Sequence, residues 1–141
     1  MSELAFGWPA RVYYEDTDAS GVVYHARYLH FFERARTEWL RHLGLSQQNL
    51  RDQDGVVFTV AGIEVEFLWP ARLDDCLRVT VGVEQRRRAS LVFSQELLRE
   101  GAPELLLARA RVRVGCVNAA SFRPCALPES FSTVRFLGVP A

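Results

Sequence analysis

Apolar and polar residues alternate along this chain with two different periods, and the change of period marks its organisation. From Ala26 to Leu43, Tyr28, Phe32, Ala35, Trp39 and Leu43 recur at helical spacing with no Gly or Pro between them, which predicts one long helix. Leu29 and Leu40 widen the apolar surface beyond a single stripe, so this helix is expected to be covered on more than one side. Gly44 is placed to end it, because a residue free to adopt left-handed backbone suits the position after a helix. Ser46 to Arg51 suggests a short second helix, and "RVYYE" at residues 11–15 predicts a short strand ahead of the long one.

Beyond Gly55 the period becomes two. Ile63, Val65 and Phe67 alternate with Glu64 and Glu66, and Leu77, Val79, Val81 and Val83 alternate with Arg78, Thr80 and Glu84. That is the pattern of strands with one buried face. "WPARLDD" separates these two strands, residues 89–98 predict a third, and "REGAP" turns into a fourth. In the fourth, Leu106, Ala108, Ala110, Val112, Val114 and Cys116 share one face, and Arg109, Arg111 and Arg113 share the other. Short links between strands give antiparallel pairing. Curling such a sheet around the helix is the economical way to bury both, so the expected class is α+β, a single domain over residues 1–141.

Composition narrows the kind of protein this is. A chain of 141 residues that is 49% hydrophobic can bury a sizeable core, and a 24% charged fraction argues against disorder. Seventeen basic and seventeen acidic residues cancel, leaving no global field that would draw nucleic acid or anionic lipid. The N-terminal "MSELAFGWPARV" has neither a basic n-region nor an apolar h-region, and Glu64 and Glu66 interrupt the longest candidate for a membrane span. Cys76, Cys116 and Cys125 are odd in number and make no CxxC pair. Reduced, mostly buried thiols in a cytoplasmic protein are expected, not a disulfide or a zinc site.

The polar residues that could do chemistry crowd into "EDTDASGVVYHARY", residues 15–28. Asp16, Asp18, Ser20 and Gly21 match positions 1, 3, 5 and 6 of a calcium loop, but Arg27 stands where the loop needs a bidentate Glu. His25, His30 and His42 have no zinc spacing and suit surface or packing roles. Two readings of the loop remain. In one, its aspartates cap and turn a strand-to-helix connection. In the other, a helix that starts near Tyr24 to Ala26 points its free N–H groups and positive dipole end beside Asp18. A carboxylate plus such amides is the minimum kit for acyl transfer. A thioester makes that minimum sufficient, because a thiol of pKa ~8.5 can leave as thiolate without a dedicated acid.

The stretch "YYEDTDASGVVYHARYLHFFERARTEWLR" closely resembles the opening motif of the Tol–Pal-associated YbgC acyl-CoA thioesterases, relatives of 4-hydroxybenzoyl-CoA thioesterase. The resemblance continues through "PARLDD", "RRRASLVF" and "RPCALP" and covers nearly the whole chain. It implies the hotdog fold, a curled antiparallel sheet around one long helix. It implies Asp18 as the catalytic carboxylate, either base or nucleophile, and the amide of His25 as the oxyanion donor. It also implies sites between subunits of a homo-oligomer, commonly a tetramer built as a dimer of dimers, with no metal or redox cofactor. Asp16 is expected to be a turn residue. Thr17 and Ser20 lack a His or Lys partner that would make them nucleophiles.

His25 can contribute through its backbone alone or through its imidazole as well. Glu33 and Arg36 are spaced for an ion pair on the helix. Arg86 to Arg88 suit either a solvated hairpin tip or capture of CoA phosphates. In the 4-hydroxybenzoyl-CoA relatives this region contacts the nucleotide, although Ala89 replaces a lysine there. Tyr24, Arg87, Arg88 and Ser90 are the expected substrate contacts. The expected function is hydrolysis of an acyl-CoA, or of an acyl carrier protein thioester, to a carboxylate and a free thiol. The alternatives are a non-catalytic module that holds acyl-CoA or acyl carrier protein for a lipid or envelope machine, and a dehydratase using His25.

Overall fold

The computed structural model describes residues 6–133. The first five residues, part of the N-terminal stretch read above for targeting signals, lie outside them. The chain runs as β1 (Phe6–Arg11), α1 (Arg27–His42), α2 (Gln47–Asn49), β2 (Val56–Phe67), β3 (Cys76–Arg87), β4 (Ser90–Arg99) and β5 (Leu105–Asn118). The strands form one antiparallel sheet in the order β1-β3-β4-β5-β2, curled and carrying α1 on its inward face. This is the expected α+β architecture. No described helix is long and apolar enough to cross a membrane.

Helix α1 begins one residue later than predicted, with Ala26 in the N-cap position and no side chain capping it. Its buried stripe is Tyr28, Phe31, Phe32, Ala35, Trp39 and Leu40. Phe31 and Leu40 widen that stripe, while Leu29 and Leu43 stay over a third exposed. Each large side chain buried here contributes about 1.5–3 kcal/mol. The helix ends as predicted at Gly44, whose φ of 82° is a left-handed conformation that suits glycine. The Gly44 amide donates to the Arg41 carbonyl at 2.9 Å and the Leu45 amide to the Leu40 carbonyl at 3.1 Å, satisfying the last carbonyls. α2 starts behind its Ser46 cap, then opens into a wide turn over Leu50–Asp54.

Two predicted strand features differ in the structure. "RVYYE" is not a strand: β1 lies just before it and Tyr14–Asp16 form a 3₁₀ turn. The Asp16 carboxylate accepts the Tyr13 amide at 2.8 Å and folds the chain back. Pro9 is tolerated inside β1 because that strand is at the edge of the sheet. In β5 the alternation breaks, since Leu97 opposes Ala108 and Leu98 opposes Leu106. Leu107 is therefore an extra residue in a bulge. It is fully buried, whereas Leu106 is only half-buried.

The core also contains a polar clamp. Gln95 on β4 is buried, donates to the carbonyls of Phe32 and Thr80 at 3.1 and 3.2 Å, and accepts Arg36 at 2.9 Å. Arg36 thus turns into the core instead of forming the expected ion pair with Glu33, which takes the Thr37 hydroxyl at 2.7 Å. Burial lowers the basicity of the Arg36 guanidinium, and the charge of Glu33 opposes this.

On β2 the inward-facing Val60, Ile63 and Phe67 are 53%, 38% and 51% exposed, although their β5 partners Val114, Val112 and Ala108 are buried. Apart from Tyr28 against Phe67, the helix leaves this edge of the inward face partly uncovered.

The bulge makes a direct prediction. Leu107→Ala should cost about 2–5 kcal/mol in urea unfolding at fixed protein concentration, the range of buried Leu truncations. Leu106→Ala should cost clearly less. The opposite order would mean that Leu106 holds the inward position.

Candidate active site

The loop between β1 and α1 is pinned by its backbone. The Val12 amide donates to Asp75 at 3.0 Å, Asp74 donates to Val12 at 3.0 Å, and the Val23 amide donates to Ala71 at 2.9 Å. Thr17 bridges to Val23 and Val22 to Arg72. The Tyr24 amide reaches back to the Asp16 carbonyl at 2.9 Å. Asp16 is buried, with its carboxylate on the Tyr13 amide and 3.8 Å from Arg27. It is the turn residue the sequence predicts. Thr17 gives its hydroxyl to the Tyr14 carbonyl at 2.7 Å.

This pinning leaves two groups open. The Asp18 carboxylate is exposed and accepts both the amide and the hydroxyl of Ser20 through one oxygen. Those two bonds hold its pKa below the ordinary value of 3.8, with smaller help from the Val22 backbone and the charge of His25. The second open group is the helix start. Arg27, Tyr28 and Leu29 donate to the carbonyls of Tyr24, His25 and Ala26. Among the described residues no hydrogen-bond acceptor faces the N–H of His25 or of Ala26. Amides left over at a helix start are ready donors for an anion.

A groove of about 290 Å³ runs beside these amides, lined by His25, Tyr28, Phe67, Leu68, Trp69 and their neighbours. Tyr28 anchors it, its hydroxyl accepting the Ala71 amide at 3.0 Å and its ring meeting Phe67 edge-on. Burial raises the pKa of that hydroxyl above its usual value of 10.0. Tyr24 packs against the His25 ring at 4.6 Å and is half exposed. The sequence reading did not foresee Phe67, Leu68 and Trp69 as a groove. Their signal was the apolar run into "WP" at the end of β2, read above only as part of a link.

The structure gathers Asp18, Tyr24 and His25 but not Arg87, Arg88 and Ser90. Arg88 and Ala89 form the two-residue turn of the β3–β4 hairpin, where Arg87 pairs with Ser90. The loop carrying Asp18 is bonded to residues 71–75, at the opposite end of β3. A twelve-residue strand separates the two groups, a span of roughly 35–40 Å. Arg86 turns inward and donates to the Phe131 carbonyl at 2.7 Å. His30 and His42 are accounted for locally, by Arg27 and by the Phe6 ring.

Ser20 sets a testable electrostatic point. A carboxyl held low in the folded state favours folding above its unfolded pKa, and that contribution is lost as pH falls through the folded value. Ser20→Ala should raise the Asp18 pKa toward 3.8 in a carboxyl NMR titration. An unchanged titration would assign the low value to something other than the Ser20 hydroxyl, such as the amide of the same residue.

Comparison with known proteins shows the family of this fold. The family model described as the thioesterase-like superfamily matches residues 12–134. The chain is 46% identical to the acyl-CoA thioesterase YbgC of Haemophilus influenzae, over 92% of this chain and 93% of that one. It is 50% identical to the acyl-CoA thioester hydrolase YbgC of Escherichia coli O6:H1, over 92% and 95%. Among solved structures, a probable thioesterase from Bartonella henselae superposes with a TM-score of 0.82 at 36% identity, covering 88% of this chain and 99% of that one. A 1,4-dihydroxy-2-naphthoyl-CoA thioesterase from Synechocystis gives 0.84 at 27%, covering 92% and 94%. The chain therefore belongs to the thioesterase-like superfamily and, within it, to the YbgC family of hotdog-fold thioester hydrolases.

Proposed function

We propose that this enzyme hydrolyses acyl-CoA in the cytoplasm, with Asp18 and the His25 amide as its catalytic groups. The observation that carries the reading is the exposed Asp18 carboxylate on the same pinned loop as a helix start with unpaired amides. The thioester carbonyl oxygen takes the His25 N–H, and the groove toward Phe67 and Trp69 takes the acyl or pantetheine chain. In one route Asp18 removes a proton from water, and hydroxide adds to the carbonyl carbon. In the other the carboxylate adds directly and water then hydrolyses the mixed anhydride. Both routes place negative charge on the oxygen at His25; in the first the C–S bond breaks as the adduct collapses to acid and thiolate, and in the second it breaks as the anhydride forms, before water attacks. The depressed pKa keeps Asp18 ionised at neutral pH, as either role requires.

Topology supports a site shared between subunits. β2 is an edge strand with a partly uncovered apolar inward face, and such edges invite pairing. A second copy pairing antiparallel along β2 sets its Val56 end beside the Phe67 end of the first. Its β3–β4 hairpin lies at that same end of its own sheet. The partner's Arg87 and Arg88 are then on the side of Asp18, available for CoA phosphates. Pairs of such dimers complete a tetramer.

Two variants, alone and mixed, test this. Asp18→Asn should fold and bind but lose kcat by about 10²–10⁴-fold, as for removal of a general base. Arg87→Ala with Arg88→Ala should raise KM for acyl-CoA and spare a pantetheine thioester, which lacks the nucleotide phosphates. Dissociating and reassembling the two together should restore one wild-type site per mixed pair. Full turnover by Asp18→Asn would leave the loop a mere connection, whereas slow turnover of every thioester by the unaltered protein would favour a binding module. Absence of recovery in the mixture would place Asp18 and its arginines in one subunit.

A further inference from the structure

The sequence shows three cysteines without a pairing motif, yet the fold brings two of them together. After β5 the chain turns back at residues 119–122, and a short extended segment runs antiparallel to the end of β5. The Asn118 amide donates to Arg123 at 2.9 Å, Val117 bridges to Pro124, and the Cys125 amide donates to Cys116 at 3.0 Å. Cys116 and Cys125 are thus directly opposite one another, and their sulfurs lie 3.8 Å apart. Opposed residues of an antiparallel pair have Cα atoms about 4.5–5.5 Å apart, inside the roughly 4.4–6.8 Å that a disulfide spans. Cys116 is fully buried and Cys125 only partly.

The same segment is tied to the arginine hairpin. The Leu127 amide donates to the Arg88 carbonyl at 2.8 Å, and the Cys116 amide donates to the Ala89 carbonyl at 2.8 Å. Both main-chain bonds of the turn therefore come from residues that are one of the cysteines or two positions from the other.

We propose that Cys116 and Cys125 are a reversible redox site, oxidised to a disulfide by low-molecular-weight disulfides, and that closing it displaces the Arg88–Ala89 turn. The consequence for substrate rests on the reading of that turn as the CoA-phosphate contact. The partly exposed Cys125 reacts first. Its thiolate attacks one sulfur of the small disulfide, releasing one thiolate and forming a mixed disulfide. Cys116 then gives up its proton and attacks the Cys125 sulfur, expelling the second thiolate. The protein loses two hydrogens and the small disulfide gains them as two thiols. Burial and the neighbouring Cys125 push the Cys116 thiol up to about 12, which keeps it protonated and out of the first step; the share of that shift due to Cys125 is lost once Cys125 is in the mixed disulfide. The sulfurs must close from 3.8 Å to about 2.05 Å. The Cys125 segment and the end of β5 move together, carrying their bonds to the turn.

The test equilibrates the full chain with oxidised and reduced glutathione, then reads intact mass, a peptide map and affinity for desulfo-CoA by calorimetry. Desulfo-CoA keeps the nucleotide phosphates but has no thiol to reduce the bond. A cross-link between the peptides carrying Cys116 and Cys125 is expected, reversed by dithiothreitol. Desulfo-CoA should bind the oxidised protein about tenfold more weakly, the effect of disturbing one charge-assisted contact. Cys125→Ser should show neither change. Three free thiols, or only a glutathione adduct, would overturn the redox site. A cross-link with unchanged affinity would overturn its coupling to the hairpin. The cross-link is scored by mass alone, so it stands or falls independently of whether the protein hydrolyses acyl-CoA.

Discussion

The rest of the site depends on how the loop between β1 and α1 uses up its own backbone hydrogen bonds. Residues 12–24 are held against residues 71–75 and against each other by a closed set of amide-to-carbonyl pairs. The set stops at Tyr24. Helix α1 supplies donors for later carbonyls but nothing accepts from His25 or Ala26 among the described residues. A side-chain cap at position 26 would accept from the amides two and three residues further on, and Ala26 supplies none. The amides of His25 and Ala26 themselves lie ahead of the helix and stay as donors that an anion can reach. Asp16 and Asp18 divide the work of the loop by burial: one carboxylate is spent on holding the turn and the other is left facing out.

The same protomer is unfinished in another sense. α1 packs on β1 and β3 but leaves Val60 and Ile63 of β2 well exposed on the inward side and Phe67 half exposed beside Tyr28. The basic hairpin sits at the far end of the sheet from Asp18. The proposed assembly through β2 would relieve both conditions at once, covering apolar surface and carrying charge to the site. Partly uncovered edge and remote arginines are two consequences of one sheet order.

Much of this was legible in the sequence, and the failures have physical causes. The long helix, its end at Gly44 and the inward face of β3 follow from periodicity, because one buried face dictates the pattern. Asp18 and His25 were placed by their motif, and the structure sets them at the same loop. The strand at "RVYYE" failed because Asp16 hydrogen-bonds to the backbone locally and outcompetes extended pairing. The Leu106 assignment failed because the bulged Leu107 offsets the residues before it from the face shared by Ala108 to Cys116, which no alternation rule can locate. Arg36 was read against Glu33, its neighbour on the helix, but the partner that decided its position was Gln95, 59 residues away. Cys116 and Cys125 were read from spacing alone, and only the turn after β5 sets them face to face.

The most direct test of the central claim removes one hydrogen. Semisynthesis can replace the peptide bond that precedes residue 25 with an ester, deleting the N–H and leaving every side chain, including the imidazole, in place. The account predicts a folded oligomer with nearly unchanged KM and a kcat about 10²–10³-fold lower, the cost of losing one oxyanion donor. Wild-type kcat in that protein would contradict it, and the developing charge on the thioester oxygen would have to be held elsewhere.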